Sequence, residues 1–592
     1  MNLQKILFPN VETCRDIDMY YHFKKGCIFQ PSGIVLNAGD ILEGDTYFNA
    51  FSLAKWKKYT RIDNLWVSLI LKGECEINLC GAYINDKNII CRKRDNLVAG
   101  TFSSEEKQPI RLQFNLNEYN ECPLVYVQIK AKKETVFYGG SYFTNVEEKK
   151  LPAVKIAVGI CTYHREDFIF RNLGAIDRDI LSKETQLTNK IDIFISDNGG
   201  TLPLRALRKP HVFVFKNKNY GGSGGFTRCI MEVLRRKKEK AYTHILLMDD
   251  DIAFDTSIFD RLYSFLRLIK PAYKDIAIGG AMLIMSDRKR QFENGARLLS
   301  NGMLQFKNKN LNLTTIRNIL ANDVQQDNNY NAWCICCMPL DKIDKNNLPL
   351  PLFIHMDDVE YGVRNQFDFV NLNGICVWHP YGSNMRNTSI VYYDVRNKLI
   401  SMASVGSCDL EKYAIRWLRN FRSDIFVYNY SRARIACRAI RDFLKGIDEF
   451  KKVNPIKLNK ELAKYNINWV DAPLEHLRNI TPVESPKKLS PEELRKKKIK
   501  MYALPANKKY IVRNCDIAGS DPYRARTLYI CDMTTKKERV YKKSILKAAY
   551  CYLDCLLLEK EIKKKMKFVG LEWRVRIKEL YKWDFWTQYL GI

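Results

Sequence analysis

The stretch His244-Ile245-Leu246-Leu247-Met248-Asp249-Asp250-Asp251 decides the fold. Its apolar front has the composition of a buried strand, and it ends in three successive carboxylates. A buried parallel strand presents such an end at the carboxyl edge of an α/β sheet, where ligands bind. Carboxylates packed this closely repel one another unless a cation neutralises them, and a hard divalent metal carrying phosphate suits an all-oxygen cluster. The competing reading is a helix start, with Asp251 or Asp255 as cap and the acids favoured by the helix dipole. That reading accounts for one acid better than for three.

Working upstream, Ile156-Ala157-Val158-Gly159-Ile160-Cys161-Thr162 is a buried strand, 167–176 reads as a helix, and Ile191-Asp192-Ile193-Phe194-Ile195-Ser196 is a second strand. Val212-Phe213-Val214-Phe215 is a third, followed by Asn219-Tyr220-Gly221-Gly222-Ser223-Gly224-Gly225 and a helix expected from about Phe226. Strands alternating with helices predict a parallel sheet with crossover helices. The glycine run is either a phosphate cradle ahead of a helix or an ordinary connection. It is not a Walker A loop, because no Gly-Lys-Ser/Thr closes it.

Each strand of this unit delivers polar groups at its carboxyl end. The first gives Thr162-Tyr163-His164-Arg165, with Arg165 placed to meet a base or diphosphate; the second gives Asp197. Downstream, Phe353-Ile354-His355-Met356-Asp357-Asp358 sets two acids after an apolar segment. One of them is a candidate general base, and capping at Asp357 is the alternative. Val377-Trp378-His379-Pro380 ends another apolar strand, and His379 is either a third metal ligand beside Asp249 and Asp251 or a structural histidine.

The flanking regions differ. Residues 1–150 read as many short strands separated by turns at Gly73, Gly81 and Asn85-Asp86, which predicts a β-sandwich. From about Tyr392 the pattern is helical, with a polar, linker-like stretch over 454–505 and a helix start at Ser490-Pro491-Glu492-Glu493. The expected organisation is thus multidomain α/β: a β-sandwich over 1–150, a Rossmann-like domain over 151–400 and a helical region over 401–592. With 592 residues, two to four domains are expected.

No apolar run approaches the roughly 20 residues that span a bilayer, and 1–10 lacks the pattern of a secretion signal. The 18 cysteines, Cys334, Cys336 and Cys337 among them, are therefore expected as reduced, mostly buried thiols. The net charge of +30 attracts polyanions, but no nucleic-acid fold signature accompanies it. The basic runs Arg495-Lys496-Lys497-Lys498-Ile499-Lys500 and Lys563-Lys564-Lys565-Met566-Lys567 suit either solvated helix faces or an anionic membrane surface.

Taken together, the motifs resemble the inverting glycosyltransferases of GT-A fold, and more closely the galactofuranosyltransferases that polymerise mycobacterial galactan. Thr46-Tyr47-Phe48-Asn49-Ala50-Phe51 with Trp56 is similar to the start of that family's β-sandwich, and Tyr392-Tyr393-Asp394-Val395-Arg396-Asn397 to its helix after the catalytic domain. The resemblance implies transfer of galactofuranose from UDP-galactofuranose to a hydroxyl of a lipid-linked cell-surface glycan. It implies Mn²⁺ or Mg²⁺ on Asp249, Asp251 and His379. Thr162, Arg165, Asp197, Asn219 and Asp250 would line the donor pocket. Asp358 would be the base, with Asp357, Trp333 and Glu293 at the acceptor. The implied partners are a UDP-sugar, a glycan or glycolipid and an anionic membrane surface, with no nucleic acid; a homo-oligomer is left open. The implied location is cytoplasmic, peripheral on the inner face of the plasma membrane. Two alternatives stand beside this reading: a transferase of another UDP-sugar, and a non-catalytic glycan-binding protein.

Overall fold

The computed structural model describes the chain except for residues 25, 31–32, 95–98, 381–386, 407–408, 481–495, 497–498, 501, 515–523 and 534. The helix start expected at Ser490-Pro491-Glu492-Glu493 lies outside the described residues.

The amino-terminal part is a nine-stranded antiparallel sheet. Its short-strand expectation needs correction: the segments on either side of Gly73 and Gly81 belong to one 20-residue strand, Leu65–Ile84, paired along its length with the equally long Leu124–Phe143. Gly73 is a bulge and not a turn. Its φ of +107° favours glycine, and the register shifts beside it. Gly81 lies within the strand, paired with Lys93 and Val125, at a place where a side chain would collide with Cys122 and Tyr119.

The central unit is an eight-stranded sheet with Val212–Lys216, Ile191–Asp197, Ile156–Thr162 and His244–Asp249 side by side and parallel, as the alternation of strands and helices predicts. Ile335–Pro339 joins them antiparallel and links on to Ala277–Ile284, which pairs in parallel with Phe369–His379. Register decides what meets at the carboxyl edge. Thr162 lies opposite Asp197, and Cys161 opposite Asp249.

One continuous apolar core joins the amino-terminal sheet to a face of the central one. Phe48 packs on Trp378 with ring centroids 5.8 Å apart. The buried Arg261 guanidinium donates to the carbonyls of Asn373 (2.5 Å) and Phe48 (3.0 Å). The segment that signals the sandwich in sequence therefore also supports the strand that ends at His379.

The carboxyl-terminal part packs Ile390–Val405, Leu410–Phe426, Tyr430–Leu444 and the 32-residue Ile545–Arg576 around a second core. It is not helical throughout. Val470–Asp471, Lys508–Asn514, Ala525–Asp532 and Lys537–Lys542 form a four-stranded sheet. The last helix, Trp583–Leu590, returns to the central unit, where the buried Trp586 indole donates to Pro349 O at 2.8 Å.

Candidate active site

The acidic triplet divides its work. Asp249 and Asp251 turn toward His379, whose Nε2 lies 3.4 Å from Asp249 Oδ2 and 3.6 Å from Asp251 Oδ1. One ligand atom from each of the three lies within 4.8 Å of the others. Asp250 points elsewhere, accepting from Arg165 Nη1 at 2.9 Å, and the same nitrogen reaches Asp251 Oδ2 at 2.5 Å. Burial pushes the Asp250 carboxyl up, against the opposing pull of Thr162 and Arg165. At His379 burial favours the neutral ring, but Asp249 and Asp251 outweigh it and raise the pKa. The expected helix cap at Asp251 is not what forms: the next helix starts at Ser257, whose N–H donates to Asp255 Oδ1 at 2.9 Å.

A backbone bridge makes this convergence. Ala253 N donates to Trp378 O at 2.9 Å and Trp378 N returns a bond to Ala253 O at 2.8 Å. The pair clamps the end of Phe369–His379 to the chain just after the triplet. Two carboxylates and one imidazole nitrogen make a donor set suited to Mn²⁺ or Mg²⁺.

The second acidic pair opens the helix Asp357–Arg364. The loop ahead of it holds three non-glycine residues at positive φ: Phe353 (+74°), His355 (+64°) and Met356 (+72°). Such conformations cost of order 1–3 kcal/mol each and persist only where surroundings enforce them. Here Asn397 Nδ2 donates to the carbonyls of Leu352 (2.9 Å), Ile354 (2.7 Å) and His355 (3.1 Å). His355 Nδ1 meets Asp394 Oδ1 at 2.6 Å. Both partners come from Ile390–Val405, in the segment whose sequence carried the family resemblance.

The glycine run belongs to the same support and is not a loop. Gly221–Lys240 is helical from its first glycine. Ser223 Oγ donates to Leu350 O at 2.6 Å and Ser223 N to Phe353 O at 3.1 Å. A side chain at Gly221 would collide with Phe353 O, and one at Gly225 with the Cys161 sulfur. The glycines thus let the helix lie against the first parallel strand and the acidic loop, which explains them without a phosphate.

Asp249, His379, Glu293, Trp333, Asp357 and Asp358 all line one cleft of about 760 Å³. Burial raises the Asp358 carboxyl, and the adjacent Asp357 raises it further; Asp357 is raised chiefly by burial. Glu293 is buried, with Oε2 unpartnered, and burial followed by the Asp358 charge pushes it up to about 8. Trp333 is nearly buried, edge-on to Phe226 and Tyr361, so it offers the cleft only part of its ring.

The residues expected on the donor side lie in different surroundings. Arg165 and Asp250 join the triplet, and Thr162 is buried beside Asp250. Asp197 is fully buried, and its own turn takes both oxygens: Oδ1 accepts from Gly199 N and Gly200 N, and Oδ2 from Leu202 N. Asn219 Oδ1 accepts from Gly221 N at 3.2 Å. None of these five lines the large cleft. Sequence reasoning missed Lys398, Tyr413 and Trp417, which line it from the carboxyl-terminal helices. Lys398 lies 5.2 Å over the Trp417 ring, and burial lowers its pKa. The aromatic residues alone gave no signal, because helical aromatics are ordinarily core. Cys334, Cys336 and Cys337 are buried free thiols, as expected.

Residues 3–145 match the sequence profile described as galactofuranosyltransferase 2 N-terminal. Galactofuranosyltransferase GlfT2 of Mycolicibacterium smegmatis is 24% identical over 429 residues, covering 68% of this chain and 63% of the relative. GlfT2 of Mycobacterium tuberculosis is 24% identical over 432 residues, covering 68% and 64%.

The chain is similar to galactofuranosyltransferase GlfT2.

The matched stretch spans a little under two thirds of the length of these GlfT2 relatives. Among solved structures, a Pyrobaculum calidifontis mannosyltransferase in complex with GDP-Man and Mn²⁺ aligns with a TM-score of 0.28 at 10% identity, covering 43% of this chain and 67% of that one. A superposition that weak carries no argument. The fold assignment rests on the sheet order and the strand register.

Proposed function

We propose that this protein is a metal-dependent inverting glycosyltransferase that moves galactofuranose from UDP-galactofuranose to a hydroxyl of a lipid-linked cell-surface glycan. The observation that carries the reading is the placing of Asp249 and His379 in the same cleft as Asp357 and Asp358. The GlfT2 similarity supports the choice of sugar. The division into 1–150, 151–400 and 401–592 would then separate glycan-orienting, catalytic and membrane-side parts.

Asp249, Asp251 and His379 would hold Mn²⁺ or Mg²⁺, which when bound supplies charge compensation for a departing diphosphate. Arg165, paired with Asp250 and Asp251, keeps a cation at the edge of the carboxylates. Asp358 takes the proton of the acceptor hydroxyl. Its raised pKa suits a base that must bind a proton near neutrality. Glu293, protonated around neutral pH, offers the acceptor a donor hydroxyl where a second carboxylate charge would repel Asp358. Trp417 and Tyr413 give the cleft aromatic surface on which a sugar's apolar face stacks. As Asp358 takes the proton, the acceptor oxygen forms the new bond to the anomeric carbon from the face opposite UDP, the bond to the diphosphate oxygen breaks, UDP leaves, and the configuration inverts.

A donor screen tests this. The protein with Mn²⁺ is given UDP-sugars, UDP-galactofuranose among them, and a galactofuranosyl acceptor; UDP release and product mass are recorded. Metal-dependent transfer from UDP-galactofuranose is expected. Transfer only from another UDP-sugar overturns the donor, and UDP binding without transfer from any donor supports a glycan-binding protein instead.

A further inference from the structure

The charges of the large cleft are sorted by position. Its five acids, Asp249, Glu293, Asp357, Asp358 and Asp394, lie in the central unit or in the opening turns of Ile390–Val405. From Lys398 onward the described lining carries two cations, Lys398 and Arg432, and no acid; its other residues there are apolar or aromatic. The cleft therefore has an acidic end, suited to a metal and a base, and a second end of opposite sign. The turn at Gly302, where a side chain would collide with Tyr413, walls this second end.

Lys398 is placed for a ligand that reaches the base. It lies on the same helix as Asp394, one turn or about 5.4 Å further along the axis. Asp394 in turn fixes the acidic loop through His355. The ammonium is thus removed from that contact by a step comparable with the length of a sugar residue. Its stem is held by Trp417, with Nζ 5.2 Å from the ring centre. Trp417 is itself stacked on Phe421, with centroids 5.7 Å apart, so the indole is a fixed support.

What Lys398 lacks is an anion. Among the described residues it makes no ion pair and no hydrogen bond, and Asp394 turns Oδ1 to His355 instead. Burial disfavours the lysine charge more than Asp394 favours it. A desolvated ammonium without a partner is costly, and an anionic ligand offsets that cost. Arg432 differs, because Asp424 Oδ2 lies 3.5 Å from its Nε. The hydroxyls of a neutral sugar donate as well as accept, whereas the two charged groups at this end only donate. A carboxylate or phosphate, which accepts through several oxygens, is the better complement.

We propose that the acceptor is an acidic glycan, and that Lys398 binds a carboxylate or phosphate carried by the sugar next to the one attacked. Trp417 acts as a positioning residue, holding the lysine stem so that the ammonium faces the cleft. The inference rests on the transferase reading above and deepens it by giving the chemical class of the acceptor.

The test uses three soluble acceptors: a galactofuranosyl disaccharide, and the same disaccharide with a carboxylate or with a phosphate on the sugar that is not attacked. Binding of each to the full chain is measured by calorimetry without donor, and UDP release is followed in parallel. At least one acidic disaccharide should bind about tenfold tighter than the neutral one, or more; whichever does so names the substituent. Lys398→Met keeps the stem against Trp417 and should bring the ratio of acidic to neutral affinity close to one. Lys398→Arg should keep the preference. Equal binding of neutral and acidic disaccharides by the unaltered chain overturns the proposal, as does no measurable binding of any of the three. A preference that persists in Lys398→Met overturns it too. The two readings fail separately. Preferential binding of an acidic disaccharide without UDP release from any donor overturns only the transferase, and transfer to a neutral disaccharide bound as tightly as the acidic ones overturns only the acidic acceptor.

Discussion

His355 Nδ1 and Asp394 Oδ1 lie 2.6 Å apart and tie the loop that carries Asp357 and Asp358 to the helix Ile390–Val405. With the three bonds from Asn397, this contact holds a backbone that three positive-φ residues would otherwise relax. Asn397→Ala leaves the carbonyls of Leu352, Ile354 and His355 short of a donor. It should cost about 2–4 kcal/mol of stability and lower kcat at least tenfold by misplacing the acids. Asp394→Asn should show the milder form of the same defect. Chemical denaturation and UDP-release kinetics check both.

Asp358→Asn removes the assigned base while keeping its shape. Turnover should fall roughly 10²–10⁴-fold, with UDP binding by calorimetry unchanged. Because the base must be ionised, turnover should rise with pH through the raised pKa of Asp358. Asp357→Asn removes the neighbouring charge that helps raise it, so the acid limb of the pH–rate profile should move to lower pH. A limb that stays put would assign the limb to another group.

His379→Ala and Asp249→Asn each remove one of the three converging ligand atoms. Loss of a supporting second-sphere contact costs about 10–100-fold in metal affinity, and loss of a ligand costs at least that. Mn²⁺ titration of each variant without donor reads this directly, independent of activity.

Glu293 makes stability depend on pH. In the unfolded chain its carboxyl ionises near the ordinary 4.5, whereas in the folded protein it holds its proton to about 8. The folded state therefore binds the extra proton, and stability falls as pH rises from about 4.5 through about 8, then levels. Glu293→Gln cannot lose a proton there. It should match the unaltered chain at and below pH 4.5 and be more stable above pH 8, by up to about 5 kcal/mol. Unfolding midpoints across that range check the crossover.

Lys55 is buried, donates to Asn371 O at 2.5 Å and sits 3.8 Å from Asp323 Oδ1, which also accepts from Ser52 Oγ at 2.6 Å. Lys55→Met leaves Asp323 buried without its cation and should destabilise the protein by about 3–5 kcal/mol. Lys55→Met with Asp323→Leu should recover much of the loss. A double-mutant cycle in denaturant measures it.

The sequence by itself determined the parallel sheet and the polar groups at its carboxyl edge. Apolar runs such as Ile156–Thr162 and His244–Asp249 fix strands through local periodicity, and the residue after each run must emerge at the edge. Equally local were the acids of Asp249-Asp250-Asp251 and Asp357-Asp358. Only the tertiary structure decided which of them meet. His379 reaches Asp249 and Asp251 because Ala253 and Trp378 bridge two strands' ends, and no local pattern encodes a pairing between segments so far apart in the chain. The same limit hid the bulge at Gly73, whose φ is set by a neighbouring strand, and the four-stranded sheet between the late helices. It also hid the two-faced character of Ile545–Arg576: periodicity marks both faces as apolar, and only packing shows which one the protein covers.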